Sequence, residues 1–193
     1  MRKLFIALLV LFFLFFIIES CSNAASAGNK IAAADTNYMC TPCGRSCDTI
    51  TYHKPGSCKS CMMSLVDKAT VQIKQISPDA VCDFLTDMGK ENVLLLDVRS
   101  PEEFNGTAPD KFGKLAGAIN IPVQELEKRL AELNEYKNKE IIVYCSHSHR
   151  SPMASYMLMQ KGFTKITNME LGMSEWNNKV KPDDCNNKLY IKQ

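Results

Sequence analysis

Ile141-Ile142-Val143-Tyr144-Cys145-Ser146-His147-Ser148-His149-Arg150-Ser151 runs from an apolar stretch through a short polar loop into helical spacing. It predicts a strand, a tight loop and a helix beginning near Pro152. That order places the Cys145 thiol at the base of an anion cradle. Backbone N–H groups of such a loop point inward, the helix N-terminus adds partial positive charge and Arg150 closes the rim, so the thiolate is favoured. The thiolate is the nucleophilic form. Without that chemistry, Cys145 is a buried strand-end cysteine packing as a small hydrophobe.

Outward from this stretch, strands and helices alternate. Residues 71–76 predict a strand. Ser77-Pro78 supplies an N-cap and a first-turn proline for a helix with Val81, Phe84, Leu85 and Met88 on one face, ended by Gly89. Val93-Leu94-Leu95-Leu96-Asp97-Val98 is apolar except at Asp97, as suits a central parallel strand buried on both faces. Residues 119–121, 141–144 and 165–169 predict further strands. Leu126, Leu130 and Leu133 give residues 123–133 helical spacing, and residues 153–160 predict a helix closed by Gly162. The alternation implies an α/β domain, a parallel sheet flanked by helices. Ligands bind such sheets at the C-terminal ends of the strands, where Cys145 falls.

Four ordered stretches resemble the rhodanese family of sulfurtransferases. They are Leu96-Asp97-Val98-Arg99-Ser100-Pro101-Glu102-Glu103-Phe104, Gly117-Ala118-Ile119-Asn120-Ile121-Pro122, residues 145–151, and Leu171-Gly172-Met173-Ser174-Glu175-Trp176, within residues 70–180. The resemblance implies a rhodanese-like domain that takes a sulfane sulfur from a small donor onto its cysteine. The persulfide sulfur then passes to a thiol or cyanide, and no cofactor is needed. Four residues separate Cys145 from Arg150. A related phosphatase loop holds five, enough for a tetrahedral phosphoryl group, so the shorter loop suits one extra sulfur atom.

On this reading Cys145 and Arg150 are catalytic, and Ser146, His147, Ser148, His149 and Ser151 form the substrate-binding loop. Ser151 either caps the helix or donates to the Cys145 sulfur. His147 and His149 stand where many members carry Arg, Gly or other small residues; each either titrates beside the thiol near neutral pH or faces solvent. Asp97 and Arg99 are read as structural support for that edge of the sheet, with a direct catalytic role as the other reading. Trp176 is read as a packing residue. Residues 105–116 form a longer connection than the family usually has and border the pocket mouth.

Nine cysteines are many for 193 residues, and five of them lie between Cys40 and Cys61. Cys40-Thr41-Pro42-Cys43 and Cys58-Lys59-Ser60-Cys61 are two knuckles separated by fourteen residues. They can set four thiolates around one zinc, with Pro55-Gly56 turning the chain back. Cys47 and His53 are additional or substitute ligands. Residues 38–67 also resemble the small heavy-metal-binding domain of bacterial metal-efflux proteins, through Tyr38-Met39-Cys40, Lys54-Pro55-Gly56-Ser57-Cys58 and Cys61-Met62-Met63-Ser64-Leu65. Cys43 replaces a Met-His pair there and Met62 a Gly. Thiolates shift the preference from copper or silver toward zinc, with soft monovalent copper still open. The alternative is a disulfide-stapled knob. Cys82 reads as a buried helix residue. Cys185, in a polar tail at 181–193, reads as a resolving thiol or an idle one.

Arg2-Lys3, the apolar run 4–18 and Glu19-Ser20-Cys21 make residues 1–20 a targeting segment, shorter in its apolar part than the ~20 residues that span a bilayer. It resembles a bacterial lipoprotein signal, implying cleavage before Cys21 and lipid on that thiol. An uncleaved anchor and an ordinary cleaved signal are the alternatives. All three take the remainder out of the cytoplasm, and the lipoprotein reading implies a membrane-anchored, periplasm-facing position in a bacterial envelope. Residues 21–37 read as a flexible tether. With a net charge of +2 and no dense Lys/Arg cluster, nucleic acid is excluded as a partner. The expected partners are a small sulfur donor, a thiol acceptor and the membrane. The competing function is a non-catalytic metal-handling or redox-sensing protein with a rhodanese-like recognition domain.

Overall fold

In this computed structural model residues 37–193 are described; the targeting segment, Cys21 and nearly all of the tether lie outside the described residues. The first described part has few apolar residues from which to build a core. An antiparallel pair, β1 (Tyr38–Cys40) and β2 (Leu65–Asp67), frames it, and Tyr38 bridges to Tyr52. Its centre is sulfur: Cys40, Cys43, Cys47 and Cys58 are buried together, with Cys61, Met63 and Leu65 packed against them.

The α/β part follows. Its sheet begins with β3 (Lys74–Ile76), half the length expected; residues 71–73 stand outside the ladder, and Val71 and Ile73 line a cavity instead. Ser77 is extended and Pro78–Ala80 makes a single 3-10 turn before α1 (Val81–Met88), which Gly89 ends at φ 77°. Val81 and Leu85 are buried, whereas Met88 is exposed and does not belong to the packed face. Next come β4 (Val93–Asp97), α2 (Pro101–Asn105), β5 (Lys114–Leu115), β6 (Ile119–Asn120) and β7 (Glu140–Tyr144). After them lie α3 (Arg150–Gln160), β8 (Ile166–Met169) and α4 (Trp176–Lys179). The main sheet has the order β3-β8-β7-β4-β6, and all its pairings are parallel.

Every residue of β4 and β7 is buried. Alternate side chains feed two cores: Leu94, Leu96, Ile141 and Val143 pack with Leu158 on one face, and Leu95, Ile142 and Tyr144 pack with Leu85, Met169 and Trp176 on the other. Fully burying one such aliphatic side chain contributes about 1.5–3 kcal/mol.

Two expectations are corrected. Residues 123–133 do not form an α-helix; successive turns lead into a 3-10 helix at Leu130–Tyr136. Bonds from Glu125 to Pro122, Lys128 to Glu125 and Glu132 to Arg129 all close over three residues. This tighter winding still buries Leu126 and Leu133, which is why leucine spacing alone does not distinguish it from an α-helix.

The stretch read as a polar tail is structured. Asp183 accepts a bond from the Asn186 N–H at 2.7 Å and starts α5 (Asp184–Leu189). β9 (Tyr190–Ile191) then pairs antiparallel with β5. Leu189 is buried and Tyr190 stacks on Trp176 with ring centroids 5.9 Å apart. Cys185 is neither resolving nor idle, because it is disulfide-bonded to Cys82 across 103 residues. The packing of α5 on α1 brings the two sulfurs together.

Candidate active site

Cys145 follows β7 directly, at the C-terminal edge of the sheet, and is almost fully buried. Its Sγ lies 3.4 Å from Ser151 Oγ. The position preceding the helix belongs to His149, which makes no side-chain cap, so Ser151 faces the sulfur and does not cap α3.

The loop is held from behind. Gly172, at φ 71°, backs onto it so closely that a Cβ there would sit 2.4 Å from the Ser146 carbonyl oxygen. The N–H groups of Met173 and Ser174 donate to the carbonyls of Cys145 and Ser146, both at 2.9 Å. Ser148 is left-handed at φ 54° and its hydroxyl accepts from Asn168 Nδ2 at 3.1 Å. The N–H groups of residues 146–149 bond to no backbone carbonyl among the described residues, and α3 begins at Arg150. Free amides beside a helix N-terminus favour an anion at this point.

Arg150 is anchored rather than loose. Its two terminal nitrogens reach the Glu103 carboxylate at 2.6 and 2.7 Å, and one also donates to Ser146 Oγ at 2.8 Å. Glu103 in turn closes a capping box at α2: it accepts from the Ser100 N–H at 3.0 Å, while its own N–H donates to Ser100 Oγ at 3.3 Å. The Arg150 guanidinium holds the Glu103 carboxyl down at about 2. Glu103 was not among the expected site residues. The capping signature Ser100-x-x-Glu103 marks it in the sequence, but only as a helix start.

Beneath the loop, Asp97 and Arg99 are fully buried. The guanidinium reaches Asp97 Oδ2 at 2.7 Å and also donates to the Gly113 carbonyl at 2.8 Å. Asn120 Nδ2 donates to the carbonyls of Asp97 and Arg99, each at 3.0 Å. These bonds tie β4 to the neighbouring connection and touch no loop atom. His147 and His149 are exposed; the His147 ring stands edge-on to Phe112 with centroids 5.2 Å apart. His147 and Ser148 also line a cavity of about 370 Å³, together with Pro42, Gly44 and Leu171.

The sulfur cluster regroups the expected ligands. Cys40, Cys47, Cys58 and Cys61 bring their sulfurs within 4.8 Å of one another, and Cys40, Cys43 and Cys47 converge likewise with Asp48, so Cys47, expected as an additional or substitute ligand, stands in both groups. The reason is local: a 3-10 turn at Ser46–Thr49 rotates Cys47 inward, and Asp48 Oδ2 holds the N–H groups of Cys43 and Gly44 at 2.9 and 2.7 Å. His53 is exposed and belongs to neither ligand group. All five cysteines here are free thiols, not a stapled knob. Burial pushes the Cys43 thiol up to about 12 and Cys40 further still, whereas the Cys61 N–H draws Cys58 down to about 6. Four convergent thiols suit a thiophilic ion such as zinc.

A parallel α/β sheet with a buried thiol at a strand end, under an amide-lined loop that opens a helix, defines a class of proteins built to hold an anion on cysteine. A family model described as rhodanese-like domain matches residues 82–179, and the chain belongs to that family. It is 38% identical over 90 residues to YrkF of Bacillus subtilis, covering 47% of this chain and 44% of that protein, so it spans less than half of that relative. It is 30% identical over 105 residues to a sulfurtransferase of Allochromatium vinosum, covering 54% of this chain and 88% of the other. The solved structure of a rhodanese-related protein from Thermoplasma volcanium has 29% identity and a TM-score of 0.44, covering 56% of this chain and 95% of that one.

Proposed function

We propose that this chain is an exported, lipid-anchored sulfurtransferase that carries a sulfane sulfur as a persulfide on Cys145. The observation that carries the reading is the buried Cys145 sulfur beneath a loop whose amides are unclaimed among the described residues and whose Arg150 is fixed by Glu103 and Ser146. The Cys145 thiolate attacks the outer sulfur of a donor such as thiosulfate. That sulfur's bond to the rest of the donor breaks, and sulfite leaves with the electron pair. An acceptor thiolate or cyanide then attacks the outer persulfide sulfur and returns Cys145 as thiolate. The loop amides and the start of α3 stabilise the anion at both stages. Arg150 acts chiefly by keeping the loop open to the right size, since most of its donors are already engaged.

The sulfur cluster would hold zinc, or soft copper, as a structural ion. Attachment through a lipid on Cys21 and a position outside the cytoplasm are supported by the apolar run 4–18 and by the Cys82–Cys185 disulfide, since such bonds persist in oxidising compartments. Incubation of the reduced protein with thiosulfate is expected to add about 32 daltons, one sulfur, at Cys145, to be lost on adding cyanide with release of thiocyanate. Cys145→Ser should show neither. No mass gain in the native protein sinks the enzymatic reading. Intact mass of the membrane fraction tests the Cys21 lipid.

A further inference from the structure

The cysteine-rich part offers more donors than one tetrahedral ion uses. Beside the set Cys40, Cys47, Cys58 and Cys61 lies a second set, Cys40, Cys43, Cys47 and Asp48, whose ligand atoms are likewise within 4.8 Å of one another. The two sets share Cys40 and Cys47. Two tetrahedra joined along an edge use six donors, two of them common to both, and thiolate sulfur has lone pairs enough to bridge. Five thiols and one carboxylate supply that number.

We propose that this segment binds two thiophilic divalent ions, zinc being the type, bridged by the sulfurs of Cys40 and Cys47. Cys58 and Cys61 complete one site, and Cys43 and Asp48 complete the other. The proposal rests on the reading of the cluster as metal-binding. Asp48 is what distinguishes two ions from one. Its Oδ2 is held by the N–H groups of Cys43 and Gly44 at 2.9 and 2.7 Å, and its Oδ1 faces Cys43 Sγ at 3.2 Å. Capping the turn uses the first oxygen alone. The second is presented to the thiols, and a ligating carboxylate is characteristically oriented by hydrogen bonds of this kind. The cluster is also compact enough: Cys43 and Cys47 lie 3.5 Å apart and Cys40 and Cys61 3.0 Å. A zinc–sulfur bond of about 2.3 Å corresponds to tetrahedral edges of about 3.8 Å, so small outward shifts seat both ions.

The test is stoichiometry. Full-length protein, stripped of metal with its cluster thiols reduced under anaerobic conditions, is titrated with zinc and read by native mass spectrometry. Saturation at two ions per chain is expected, falling to one in Cys43→Ser and in Asp48→Asn, with far-UV circular dichroism confirming that each variant folds. The cadmium-loaded native protein should give two ¹¹³Cd resonances of different shift, one for an all-sulfur site and one for a site with an oxygen ligand; this needs no variant. Saturation of the native protein at one ion overturns the bridged pair and leaves the single site standing. No uptake overturns the metal reading itself. Two ions retained in both variants overturn the assignment of Cys43 and Asp48.

Discussion

Arg150 and Glu103 come from distant parts of the chain and meet through two short contacts, and the pair is mostly shielded: the side chains are 28% and 20% exposed. The consequence is a definite acid response. The Glu103 carboxyl sits at about 2 in the folded protein against 4.5 when free, so the unfolded chain takes up its proton first as pH falls. The stabilisation is complete above pH 4.5 and is lost progressively down to about pH 2, amounting to on the order of 2 kcal/mol after solvent screening. Glu103→Gln is therefore expected to unfold earlier in urea at neutral pH, with the gap from the native protein narrowing below pH 4.5 and closing at about pH 2. The same variant should load sulfur on Cys145 more slowly, since Arg150 loses its anchor. Leu171 gives a prediction of opposite sign. It holds φ 62° and is 42% exposed, so Leu171→Gly relieves backbone strain and should raise stability by about 0.5–1 kcal/mol, read from the urea midpoint. The placement of Cys145, Ser151 and Arg150 around one loop was legible because strand, loop and helix start are contiguous there. Glu103 was not, because its partner is 47 residues away and only the folded sheet brings them together.

At the scale of elements, the buried strands were the most legible part, since β4 and β7 are apolar almost throughout and nothing else buries such runs on both faces. Turns that wind over three residues were not, because Leu126, Leu130 and Leu133 satisfy either winding. The central place of Cys47 in the cluster arises in the same way: the two C-x-x-C knuckles are visible as spacing, whereas the 3-10 turn that swings Cys47 inward goes with Asp48 gripping two amides. One further contact joins the cysteine-rich part to the sulfur-holding loop. Gly44, at φ 70°, lies against Ser148 so that a Cβ there would fall 1.8 Å from the Ser148 carbonyl oxygen. Gly44→Ala must move one element or the other. A loss of about 2 kcal/mol is expected, together with slower thiosulfate-dependent mass gain at Cys145. An alanine variant that loads sulfur at the native rate would show that this contact does not shape the cradle.

For the molecule as a whole, the largest misreading was of residues 181–193, whose polar composition hid two isolated anchors, Leu189 and Tyr190. They find partners only in the finished fold, at Trp176 and at β5. The disulfide at Cys185 closes a span of 103 residues, for which loop-closure entropy gives about 4.7 kcal/mol. Replacing Cys82 and Cys185 together by serine should lower unfolding stability by 2–4 kcal/mol, and treatment of the native protein with reductant should produce a similar drop. β9 also covers the edge of β5, and Tyr190 donates its hydroxyl to the Phe112 carbonyl at 3.2 Å. A ribosome releasing this chain exposes residues 82 and 114–115 long before the segment that must dock on them has been made. Until residue 191 clears the exit tunnel, the nascent domain carries an open seam along Leu115 and Trp176. Its final consolidation therefore waits for the segment Asp184–Ile191, and until then a holding chaperone has a defined apolar strip to grip.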